Sequence, residues 1–104
     1  MEVRVLYFDG CPSWRLAVER SEAAVEAEGM PDAVIQPVRL QSLTHAEAAG
    51  FAGSPTFLVE GRDLFPGAAP VTELSCRLYQ TPAGPRGVPT VEAIAAALAG
   101  RLSV

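Results

Sequence analysis

The sequence predicts an α/β fold with the element order strand, helix, strand, helix, strand, strand, helix, in a single domain over residues 1–104. Three observations carry this. An apolar, β-branched run at the N-terminus breaks at Asp9-Gly10, continues as a helical pattern and returns as a second strand-like run, which makes a β-α-β unit. TFLVEGRDLF, from residue 56 to residue 65, reads as two strands joined by a tight turn. After Pro89 a capped helical pattern closes the chain.

In the first strand Val3, Val5 and Tyr7 alternate with Arg4, Leu6 and Phe8, a run suited to burial. Pro12 fits the first helical position, where its missing N–H would have had no partner. Trp14, Ala17, Val18, Ser21, Ala24 and Val25 then share one helical face, and Gly29 with Pro31 stops the helix. The run 33–40, AVIQPVRL, is the second strand; Pro37 cannot donate to a ladder, so this strand belongs at a sheet edge. Ser42 or Thr44 caps a short helix to Ala49, Thr44 forming a capping box with Glu47, and Gly50 ends it.

Thr56 to Glu60 is the third strand. Gly61-Arg62 fits a two-residue hairpin turn with glycine first, returning through Asp63, Leu64 and Phe65. A right-handed crossover makes the first two strands parallel, whereas the hairpin is antiparallel. Residues 66–89 hold five of the nine prolines and read as a proline-rich loop insertion. Within it Leu74 to Tyr79 alternates like a short strand but also fits one helical turn. Thr90 caps the last helix, Val91, Ile94, Ala95 and Leu98 form its buried stripe, and Gly100 ends it.

Composition narrows the function. The net charge is −4 with scattered acids, which offers no basic surface to a phosphate backbone, so nucleic acid is not an expected partner. No apolar run approaches membrane-spanning length, and Met1-Glu2-Val3-Arg4 runs into a strand pattern without the features of a leader. The expectation is a cytoplasmic protein with no membrane partner. In such a reducing compartment two cysteines are more often catalytic, redox-sensing or buried than structural. There is no glycine-rich phosphate loop, paired-acid constellation or Ser-His-Asp pattern. His45 stands alone, and Cys11, Cys76 and His45 have no metal-ligand spacing, so neither metal nor cofactor is expected.

Chemistry concentrates at YFDGCPSW, residues 7–14, which delivers Cys11 from the end of a strand onto the first turn of a helix. There the helix dipole and unpaired amides favour the thiolate. Arg15 would add to this effect; Asp9 would oppose it and is expected to face solvent or cap the turn. Cys11 also reads as a small buried residue closing a strand, and Cys76 as a buried hydrophobe between Leu74 and Leu78. Trp14 suits core packing or a lid beside the thiol. Arg77 and Tyr79 either border the site, meeting an anionic substrate such as glutathione, or serve packing.

The element order, the CPSW turn after the first strand and the SPT turn before the third resemble the minimal thioredoxin or glutaredoxin fold over nearly the whole chain. More narrowly, FDGCPSW, GSPTFLVEGRD, SCRLYQTPAG and PTVEAIAAAL are similar to short bacterial, often actinobacterial, thioredoxin-like proteins labelled DF family (seleno)proteins or alkylmercury lyases. The resemblance implies a four-stranded mixed sheet of order 2-1-3-4 with flanking helices, placing the Pro37 strand at an edge. It also implies a cis Ser54-Pro55 bond that leaves backbone groups free for an extended substrate. Cys11 then acts as the catalytic thiol, with Pro12, Ser13, Trp14, Ser54, Pro55 and Thr56 around the substrate.

Where a dithiol thioredoxin has a second cysteine, this chain has Trp14, so Cys11 works as a monothiol or finds a distant resolver. Cys76 is the one internal candidate, and the chain after Phe65 could span on the order of 30 Å to bring it back. The expected function is a thiol oxidoreductase reacting through Cys11 with a disulfide, peroxide or other electrophile, the resulting adduct being resolved by Cys76 or by a small thiol. Its partner would be a small thiol or a protein disulfide, and a homodimer stays open. The competing readings are a non-enzymatic thiol site for a soft metal or organomercurial and a scaffold without redox activity.

Overall fold

The structure, a computed structural model, describes residues 1–44, 49–69 and 71–102, without the side chains of residues 101 and 102. Its elements are β1 (Glu2–Tyr7), α1 (Trp14–Ala27), β2 (Val34–Arg39), β3 (Thr56–Val59), β4 (Arg62–Asp63), β5 (Tyr79–Thr81), β6 (Gly84–Arg86) and α2 (Val91–Leu102). The first four strands form a mixed sheet of order β2-β1-β3-β4. β1 runs parallel to β2, with Val5 opposite Pro37, and antiparallel to β3. The proline strand therefore lies at an edge, as its missing donor requires.

β1 is buried on both faces, and its alternation sorts two cores. Val3 and Val5, with Phe57 and Val59 of β3, meet Ala17, Ala24 and Val25 of α1 and Ile94, Ala95 and Leu98 of α2. Both helices thus pack on one face of the sheet. Ser21, fully buried between them, is tolerated because its hydroxyl donates to the Ala17 carbonyl 2.8 Å away. Leu6 and Leu58 point to the opposite face, which Leu40, Phe51, Val71 and Leu74 cover. The short helix expected from Thr44 to Ala49, with Glu47 and His45, falls largely on residues outside the described ones. Before it, Ser42 Oγ accepts from the Thr44 amide in a local turn, 3.2 Å.

Helix ends follow hydrogen-bond supply. Gly29, at φ 64°, closes α1 in a Schellman arrangement, its N–H donating to Glu26 O and that of Met30 to Val25 O. Thr90 Oγ1 accepts from the Ala93 amide, 3.0 Å, and caps α2 as expected. Gly100 does not end α2, which runs on to Leu102; a helical glycine costs only about 1 kcal/mol, too little to stop a packed helix.

Two turn readings need correction. The hairpin pairs Val59 with Arg62, so its turn is Glu60-Gly61 and not Gly61-Arg62. Both turn residues have positive φ, 53° and 77°, the pairing that matches strand twist in a two-residue loop. Leu74 to Tyr79 is neither a continuous strand nor a helical turn. It carries one isolated bridge and then enters β5, which pairs with β6 as a second small antiparallel sheet. The 66–89 segment is therefore not loop throughout.

Phe57, fully buried, lies edge-on to Phe65 and Tyr79 with ring centroids 5.7 and 5.9 Å away, tying β3 to the segment that follows β4. Phe57→Ala is expected to cost about 3–5 kcal/mol, read from urea unfolding with the cysteines kept reduced.

Candidate functional site

Cys11 and Cys76 are joined as a disulfide, with Cα atoms 5.8 Å apart and 65 positions between them in sequence. The first sulfur comes from the turn after β1, where the Cys11 N–H donates to Phe8 O. Gly10 keeps that turn tight, since a Cβ there would lie 2.4 Å from a Phe8 ring carbon. α1 begins only at Trp14, with Ser13 as its N-cap, so Cys11 stands two residues ahead of the cap and not within the first turn. Pro12 is accordingly an exposed turn residue. The Ser54 carbonyl lies 3.6 Å from Cys11 Sγ.

The second sulfur is placed by a network that meets the first at Ser54. Ser54 donates its N–H to Ser75 O, 2.8 Å, and accepts from the Arg77 N–H, 3.0 Å, bridging Cys76 in parallel to the loop before β3. Arg77, 8% exposed, donates to Asp63 Oδ2 of β4, 2.8 Å, and to Phe65 O, 2.7 Å. Its guanidinium carbon also sits 4.6 Å from the Tyr79 ring centroid. The Tyr79 hydroxyl donates to Pro55 O. Gly53, at φ +110°, makes the approach sterically feasible, because a Cβ would meet that of Arg77 at 2.7 Å.

Two sequence expectations are overturned here. Cys76 is exposed, not a buried hydrophobe, and Leu78 beside it is 70% exposed. Cys11, by contrast, is 3% exposed. The backbone of Ser54, expected to be free for a substrate, is fully engaged by the chain's own residues 75 and 77. Arg77 and Tyr79 are likewise bound internally and do not present themselves to an anionic substrate.

The remaining expected site residues divide. Ser54-Pro55 is cis. Ser54, Pro55 and Thr56 are buried, and Thr56 Oγ1 braces the loop by donating to Gly53 O, 2.5 Å, and accepting from the Ala52 N–H, 3.1 Å. Trp14, half-buried, stacks on Tyr7 with centroids 4.3 Å apart, and the guanidinium of Arg15 lies over its indole. Asp9 faces solvent and pairs with Arg39, whose pKa this raises through the hydrogen bond and the charge. Gly53 and Asp63 were not singled out in the sequence. An acid in a hairpin and a glycine before Ser-Pro carry no local signal of a partner so far along the chain.

Comparison with protein-family models, with curated proteins and with solved structures finds no match to this chain. Among the described residues no group of three or more His, Cys, Asp or Glu side chains is placed to hold a metal ion, and no helix is long and apolar enough to cross a membrane.

Asp63→Ala would strand the Arg77 guanidinium in a site it cannot leave without giving up its other contacts. The expected loss is about 3 kcal/mol of stability in the reduced protein, measured by urea unfolding, together with slower closure of the disulfide in a quenched oxidation time course.

Burial raises the Tyr79 pKa above its ordinary 10; Arg77 opposes the shift and the Asp63 charge reinforces it. The folded phenol stays neutral where an unfolded one ionises. This contribution is complete below about pH 10 and is lost as the pH rises beyond it. Unfolding midpoints taken from about pH 9 to about pH 11 should fall, and fall less steeply in Tyr79→Phe.

Proposed function

We propose that the protein is a thiol–disulfide oxidoreductase of the thioredoxin-like kind, working through the Cys11–Cys76 pair. The observation that carries this reading is the asymmetry of the pair, one cysteine buried and the other exposed, on a segment anchored by Asp63, Ser54 and Pro55. Such anchoring keeps the two thiols close after reduction, so the bond can open and close without refolding the segment. The sheet order and the CPSW and SPT turns supply the resemblance to that fold.

Access decides which sulfur meets the substrate. An incoming thiolate attacks Cys76 Sγ, forming a mixed disulfide there and expelling Cys11 as its thiolate, which takes up a proton. A second substrate thiolate attacks the substrate sulfur of that mixed disulfide, releases Cys76 and departs as the substrate disulfide. Two electrons pass from two substrate thiols to the protein pair, and two protons are redistributed. Run backwards, the same path has Cys76 attack a substrate disulfide and Cys11 resolve it. This reverses the roles read from the sequence, where Cys11 attacked first.

Closing a loop of 65 residues in the unfolded chain stabilises the oxidised form by up to about 4 kcal/mol. The pair is therefore a redox couple coupled to stability.

The test is a trapping experiment read by mass spectrometry, with an aromatic disulfide reagent as probe. Cys11→Ser should accumulate the mixed disulfide on Cys76, and Cys76→Ser should react at least about tenfold more slowly through Cys11, as burial of a thiol slows exchange. Equal rates would reject the assigned roles. A pair potential below about −300 mV, the range of inert structural bonds, would reject the oxidoreductase reading.

A further inference from the structure

In an acidic chain, the groove between the start of α1 and the β5–β6 hairpin is lined by Ser13, Leu16, Arg20, Thr81, Arg86 and Thr90, among residues none of which is acidic. It encloses about 300 Å³, the lower end of the range for small-molecule sites. Both arginines bond only to backbone carbonyls among the described residues. Arg20 Nη1 donates to Pro89 O, 2.9 Å, and Val88 O, 3.5 Å, and Arg86 Nη1 to Pro85 O, 2.7 Å. Among the described residues neither has a carboxylate partner, unlike Arg39 and Arg77. The remaining guanidinium donors are free to take an anion in the planar geometry that suits a carboxylate.

Two further features concern Ser13. As N-cap of α1 it makes no capping bond through its side chain, so its hydroxyl is uncommitted. The hairpin closes on it at Gly87, where a Cβ would stand 2.8 Å from Ser13 Oγ. Ser13 is also two residues from Cys11, which puts their Cα atoms no more than about 7.6 Å apart. Ser13, at the edge of the groove, is thus a near neighbour of Cys11 along the chain.

We propose that this groove holds the carboxylate of the thiol or disulfide that exchanges with Cys11–Cys76, giving the site a preference for anionic over cationic low-molecular-weight substrates. The proposal rests on the oxidoreductase reading for its substrate, and on the groove alone for its anion. Arg20 and Arg86 supply the charge, Ser13 a neutral donor, and Leu16 the apolar wall for the ligand's carbon chain. The reaction is the exchange already balanced above; the groove adds orientation and local concentration, not a new bond.

The experiment has two arms. In the first, reduction of the oxidised protein is followed with mercaptopropionate and with cysteamine, thiols of similar length and opposite charge. The ratio of the two rates cancels shared effects of a substitution on the protein, and comparing variants cancels the different acidities of the thiols. Arg86→Gln, at an exposed position, and the Arg20→Gln/Arg86→Gln pair should lower the mercaptopropionate-to-cysteamine ratio, the pair by about five- to tenfold, the range for two partly exposed charges. Arg86→Glu should lower it further, and added salt should shrink the difference between wild type and variants. In the second, methylthiopropionate, which cannot exchange, is titrated into the oxidised protein while the Ser13 and Gly87 amides are followed by NMR.

A saturable shift in wild type that is lost in Arg86→Glu, with the rate ratio falling as stated, supports the proposal. An unchanged ratio with no shift overturns it and leaves the redox reading standing. A saturable shift in a protein that neither thiol reduces sustains the groove as an anion site and overturns the part that ties it to exchange.

Discussion

Taking a guanidinium and a carboxylate out of water costs several kcal/mol per ion, and their attraction offsets this only when geometry is good and the remaining donors are satisfied. Arg77 meets those conditions with one bond to Asp63, a second to Phe65 O and a ring of Tyr79 under its plane. What the fold obtains is position rather than net stability. The pair fastens a segment with no regular strand of its own to the edge strand β4, and the Ser54 bridge and the Tyr79 hydroxyl complete the attachment. Cys76 is delivered to Cys11 as a by-product of that fastening.

The site consequently differs from one in which both sulfurs sit on a single helical turn. The buried sulfur belongs to the sheet and its first connection, the exposed one to a segment laid over the cis-proline loop. The backbone of Ser54 that could have served a visiting strand is occupied from within. On the proposed reading substrates are recognised elsewhere, by the exposed surroundings of Cys76 or by the groove at Ser13, because extended pairing along Ser54 has no vacancy while the segment stays in place.

Local chemistry made much of the fold legible. Pro37 fixed an edge because a missing donor is a local fact with a topological consequence, and Gly29 and Thr90 marked helix ends through bonds spanning one turn. The expected sheet order was recovered from that edge together with the resemblance. The hairpin turn was misplaced by one residue because Glu60 takes a backbone conformation that its side chain does not advertise. β5 and β6 were missed because TPAGPRG looks like loop chemistry, and their pairing is anchored by Tyr79, the first residue of β5, whose ring is buried in the core. Cys11 was singled out by its motif. The exposure of Cys76, the engagement of Arg77 and the grouping of Arg20 with Arg86 depend on contacts across 12 to 69 positions, which no periodicity encodes.

The cysteine pair also turns most of the chain into a covalent ring. That ring runs from residue 11 to residue 76 and contains α1, β2, β3 and β4, leaving β1, β5, β6 and α2 as tails. A single proteolytic nick inside the ring leaves the oxidised molecule in one piece, still able to hold its sheet together. After reduction the same nick yields two separable fragments. The state of the bond thus decides whether a nicked chain keeps its two parts covalently joined.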